Sequence, residues 1–188
     1  EAYEVHPWVR LQRVQSKGAS ADPAELDSLW KQRHKLGSRR VAQLRLLQSQ
    51  KKSDGMDRQL RREAYGYDPH NPQVNLWLGT DAYRETPPDH ARAELFWKEC
   101  SQLLIECRVA LLSLRIDQDR LESAQVLAES FPDGHPLAEW ARGWPSWAED
   151  EDMSGLPPIW SFVESQASLP QSPLYSLWAE RAASFKAS

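Results

Sequence analysis

One stretch constrains this chain more than any other. From residue 86 to residue 116 the apolar side chains recur at helical spacing: Ala93, Phe96/Trp97, Cys100, Leu103/Leu104, Cys107, Ala110/Leu111 and Leu114, with no Gly or Pro after Pro88. Thr86 is a suitable N-cap, and Pro87 occupies the first helical position, where an N–H is not needed. Asp89 falls in the first turn, where the helix dipole favours negative charge. Residues 103–116 are apolar on nearly every side. The pattern therefore predicts a long central helix over 86–116, surrounded by other helices. On such a helix Cys100 and Cys107 stand about 10 Å apart along the axis, too far for a disulfide. They are expected as buried thiols, which fits a reducing compartment.

The rest of the chain reads as further helices. Residues 1–21 look like an extended N-terminal arm, with Val5, Trp8, Val9 and Leu11 free to lie along another surface. A single helical domain is expected over 22–188. Asp22-Pro23-x-Glu25 opens its first helix, a variant of the capping box. Ser38 opens a second helix and the Ser53-Asp54-Gly55 turn leads to a third, so 22–66 forms a set of basic helices. Pro69 and Pro72 each push their predecessor towards extended backbone, so 67–85 is expected as an irregular loop. After the central helix, Asp119-x-x-Glu122 repeats the cap, and 119–188 reads as Trp-rich helices. The fold class is all-α: an irregular bundle or array of about seven or eight helices.

Charge and aromatic content bound the function. Residues 1–64 hold 14 Lys/Arg against 8 Asp/Glu, a net +6, while residues 65–188 hold 9 against 19, a net −10. The basic half, through Lys31, Arg39, Arg40, Arg45, Arg58, Arg61 and Arg62, could neutralise phosphates, although no recognition-helix or RNA-module signature accompanies it. Nine tryptophans are more than a core this size needs. Trp and Tyr combine apolar area with a polar tip, which suits contact surfaces. Val5, Trp8 and Val9, with Trp140, Trp144, Trp147, Trp160 and Trp178, are therefore the candidate partner-binding residues. No phosphate-cradling loop, nucleophile elbow or metal-ligand spacing is present, so no catalytic, cofactor or metal residues are assigned. Leu103–Ile116 is too short to span a bilayer and carries Glu106, Arg108 and Arg115.

Pro88-Asp89-His90 followed by Glu94-Leu95 resembles a stretch of the TorD/NarJ-like redox-enzyme maturation chaperones. Residues 131–140 and Pro173-Leu174-Tyr175 resemble that family's later segments. The resemblance implies an all-α chaperone that binds a leader peptide, with Asp89 and His90 beside its groove. Three functions thus stand as expectations. The first is a non-catalytic accessory or adaptor subunit of a larger assembly, acting through protein contacts. The second is a leader-peptide chaperone. The third is a nucleic-acid-associated helical protein. The expected setting is soluble and reducing: the cytoplasm, or an organelle interior after N-terminal processing.

Overall fold

The computed structural model describes residues 6–53, 55–134 and 142. Among them the chain is all-α, with eight α-helices, two 3-10 turns and no strand. It divides into two compact units, Glu1–Leu78 and Gly79–Ser188.

In the first unit, α1 (Pro7–Lys17), α2 (Pro23–Lys31), α3 (Ser38–Ser49) and α4 (Met56–Tyr67) are complete, and α5 (Pro72–Tyr83) begins. Three of these helices open with the same device: a polar side chain followed by Pro. His6 Nδ1 accepts from the Trp8 N–H at 3.3 Å, and Asp22 Oδ1 accepts from Ala24 N–H at 2.9 Å. Asn71 Oδ1 accepts from both Gln73 N–H at 3.1 Å and Val74 N–H at 3.2 Å. In each case the cap satisfies an orphan donor and Pro supplies a preset φ. Two expectations are corrected here. The arm over 1–21 is helical across Pro7–Lys17, because Leu11 and Val14, three apart, both enter the core; Val5 lies outside the described residues. The loop over 67–85 contains α5, because Pro72 starts a helix instead of ending one. Leu11, Val14, Ala21, Leu26, Leu29, Leu36, Val41 and Leu44 form one buried cluster, with Trp30 and Leu47 packed on it.

In the second unit, α6 (His90–Cys100), α7 (Ile105–Asp117) and α8 (Leu121–Glu129) pack in succession. The single central helix over 86–116 is therefore two helices. Its start is later than expected, because Thr86 and Pro87 each precede a proline and are held from helical backbone. Asp89 is the cap, its Oδ1 accepting from Arg92 N–H at 3.0 Å. Its middle is broken between Cys100 and Ile105, and Cys100 and Cys107 form a disulfide with their Cα atoms 5.9 Å apart. The expected free thiols, and the reducing compartment they suggested, give way to a bond that persists in oxidising surroundings. α7 is nonetheless buried on all sides, every residue from 109 to 114 being in the core. Arg108, conspicuous in so apolar a run, ties the break together: its Nε donates to Ser101 O at 2.7 Å and its Nη1 to Ser130 O at 3.5 Å. Glu94 and Lys98, one turn apart, pair at 2.8 Å, and Arg120 reaches the same carboxylate at 3.4 Å. The Lys98 hydrogen bond is the main reason that the Glu94 carboxyl lies below its ordinary pKa, with burial opposing. Asp119 does not cap α8; it sits at φ +56° in the turn after α7, and Arg120 takes the cap position.

Gly79 shows how close the packing is. A Cβ placed there would lie 2.5 Å from Cδ1 and 2.9 Å from Cε2 of the Trp97 indole, whose residue is 1% exposed. Gly79→Ala is expected to destabilise the protein by about 1–3 kcal/mol through overpacking. Gly66→Ala, where nothing lies within 4 Å of the new methyl, should gain up to about 1 kcal/mol of helix propensity. Chemical denaturation of the two variants checks both signs.

Candidate functional site

The end of α2 and the flanks of α3 and α4 build a compact cluster of aromatic rings and guanidinium groups. Trp30 lies in the last turn of α2, and the 3-10 turn Arg33–Lys35 follows it. That spacing brings the Arg33 guanidinium to 4.5 Å from the Trp30 ring centroid, while Arg33 Nη1 donates to Trp30 O at 3.1 Å. Arg45 of α3 approaches the same ring at 3.3 Å. Tyr67, at the end of α4, meets it edge-on with centroids 6.4 Å apart. Each cation over an indole contributes roughly 0.5–2 kcal/mol, depending on how far it is desolvated.

Arg45 is the pivot of this cluster. Its Nη2 pairs with Glu63 Oε2 at 2.8 Å and its Nη1 donates to Gln48 Oε1 at 3.0 Å; Gln48 Nε2 in turn donates to Asp27 Oδ1 at 3.3 Å. Burial lowers the Arg45 pKa, while Glu63, Tyr67 and Asp27 act against that and Arg33 adds to it. The guanidinium stays charged, since its ordinary pKa lies so high. Beside the cluster runs an open groove of about 390 Å³ lined by Arg33, His34, Leu36, Ser38, Val41 and Tyr67. Its size falls within the range of natural ligand pockets. Its floor is apolar and its rim carries cationic and hydroxyl groups.

The structure divides the residues expected from sequence. Of the partner-binding set, Trp8 is 37% exposed with the Arg40 guanidinium 5.5 Å from its ring, and Val9 is half-buried. Val5, Trp140, Trp144, Trp147, Trp160 and Trp178 lie outside the described residues. Of the basic set, Lys31, Arg39, Arg40, Arg58 and Arg62 are exposed, and Arg45 belongs to the network above. Arg61 is buried: it pairs with Asp57 Oδ2 at 2.6 Å and lies 4.9 Å over the Trp77 ring. Asp89 is engaged in capping α6 and lies 3.6 Å from Arg92 Nη1. His90 stacks on Tyr83 at 5.7 Å, and the Tyr83 hydroxyl donates to Asp117. Among the described residues no group of three His, Cys, Asp or Glu is placed to hold a metal ion. No described helix is long and apolar enough to cross a membrane. The grouping of Arg33, His34 and Tyr67 was not foreseen. Its one visible signal was Arg33 standing three residues, one helical turn, after Trp30.

Compared with family models, with curated proteins and with solved structures, the chain shows no significant match.

The Arg61–Asp57 pair supplies a test in solution. Burial would raise the Asp57 pKa, but the Arg61 hydrogen bond and charge, with backbone N–H donors, outweigh it and bring it below the ordinary value. A carboxyl depressed in the folded state stabilises the fold fully above its unfolded pKa of about 3.9. That contribution is lost as pH falls through the lower folded value. Asp57→Asn should therefore cost about 1–3 kcal/mol at neutral pH, through weaker compensation of a buried guanidinium. Its penalty should shrink as pH falls below about 4. Arg58→Ala, on the exposed face of the same helix, should stay within about 0.5 kcal/mol. Urea titrations across pH check both.

Proposed function

We propose that the chain is a non-catalytic helical accessory or adaptor subunit that works through protein–protein contacts. The observation that carries this reading is the Trp30–Arg33–Arg45–Tyr67 cluster and its groove. Trp, Tyr and Arg are the residue types that dominate binding energy at interfaces. Here they are held in place by their own network before any partner arrives, which lowers the ordering cost of association. Tyr67 at 41% and Trp8 at 37% exposure leave substantial aromatic surface open to solvent.

Isolated gently from its source, the protein should travel in a species much heavier than its own 21.6 kDa. Tyr67→Ala and Trp8→Ala chains should drop out of that species. Their own melting temperatures should move by no more than about 4 °C, the equivalent of 1 kcal/mol at this length. A lone species near 21.6 kDa would contradict the reading.

A second reading, contact with nucleic acid, is favoured by the exposure of Lys31, Arg39, Arg40, Arg58 and Arg62. Retention on a nucleic-acid column should then fall steeply as salt rises, because phosphate contacts release counterions. Elution indifferent to salt would remove it.

A further inference from the structure

We propose that the Cys100–Cys107 disulfide is a redox lock on a hinge. Its reduction lets α6 and α7 join into one helix, with the paired helices exchanged between two copies of the chain. Four observations carry this. The segment between the helices, Ser101-Gln102-Leu103-Leu104, contains no Gly or Pro, and the apolar periodicity runs straight through it. Local sequence therefore favours continuity, and something else imposes the break. The disulfide is sufficient to do so: seven residues of unbroken helix separate two Cα atoms by about 10 Å, whereas these stand at 5.9 Å. Bridged cysteines and a continuous helix exclude one another. The third observation is the backbone at the two ends of this segment. Ser101 already has helical angles, φ −64° and ψ −22°, and Leu104 is the extended residue, at φ −125° and ψ 125°. Finally, Leu104 caps α7 without any side-chain hydrogen bond, and Leu103 stands 69% exposed on the turn. Across the turn the Leu103 and Leu104 N–H groups both donate to Cys100 O, at 3.0 and 2.9 Å, and the Leu104 bond has the i to i−4 pattern that an unbroken helix keeps. The covalent bond, Arg108 and the packing of α6 on α7 hold the fold-back.

Magnitudes decide what the reduced chain becomes. A straight rod in a monomer would strip α6 from α7 and expose the buried faces that hold Ala93, Trp97 and Cys100. The apolar area lost outweighs a few new helical hydrogen bonds. A second copy restores every one of those contacts, since the two chains present identical faces. Exchange then costs only association, and a domain-swapped dimer results.

The chemistry balances with a dithiol reductant. One of its thiolates attacks a sulfur of the pair, forming a mixed disulfide and releasing the other cysteine as thiolate. The reductant's second thiol resolves this intermediate, leaving two protein thiols and an oxidised cyclic reductant, with two electrons and two protons transferred. Both cysteines are 0% exposed, so attack awaits local opening of the turn.

The test uses the full chain with and without dithiothreitol. Oxidised protein is expected at 21.6 kDa by light scattering, with an extended Cα chemical shift at Leu104. Reduced protein is expected at twice that mass, with Leu104 helical. Cys100→Ala/Cys107→Ala should form the same dimer with no reductant present. Gln102→Gly, which lowers helix propensity in the hinge of both copies, should weaken the reduced dimer about tenfold or more. A reduced chain that stays a folded monomer with Leu104 extended overturns the proposal. So does one that loses its helicity, since the bond would then be a staple and nothing more.

Discussion

The covalent bond between Cys100 and Cys107 sets how α6 meets α7. In sequence, residues 90 to 117 carry one uninterrupted apolar periodicity with no Gly or Pro. With the bond in place, α6 folds back and packs on α7. In the chain-entropy account a loop this short stabilises the fold by about 2.5 kcal/mol, a sizeable fraction of what a domain has in total. The Arg108 bonds to Ser101 O and Ser130 O belong to this folded-back arrangement.

The first unit is organised by hydrogen bonding at helix starts and by charge absorbed inward. Its helices open on His6-Pro7, Asp22-Pro23 and Asn71-Pro72, each with the same capping chemistry. Two of its arginines, Arg45 and Arg61, are spent on structure: each pairs with a carboxylate and lies over an indole. What looks in the sequence like a uniform basic face is therefore part surface and part internal network.

The all-α class and the start of α2 at Asp22-Pro23 were legible because periodicity and cap agree there, although the apolar pattern carried the helix on to Gly37 and it ends at Lys31. The buried character of α7 was legible from its apolar run alone. The Asn71-Pro72 start was not, although its signature is the one read correctly at Asp22-Pro23. Nearby prolines invite a loop reading, and only packing reveals that Val74, Leu76 and Leu78 are buried. The disulfide was hidden for a different reason. Spacing ruled it out only on the premise of an unbroken helix, and the bond itself removes that premise. The Trp30 cluster was half legible, since Arg33 follows by one turn but Arg45 and Tyr67 arrive from other helices.

Two surfaces follow from this architecture: a preorganised aromatic and guanidinium patch in the first unit, and a hinge held shut in the second. The most direct measurement is a thiol count. Protein purified without reductant is unfolded in denaturant, treated with iodoacetamide and weighed intact. The account predicts no alkylation until a reductant is added, and then alkylation of both cysteines. Alkylation of both without reductant would contradict it, returning α6 and α7 to the unbroken helix that their sequence alone prefers.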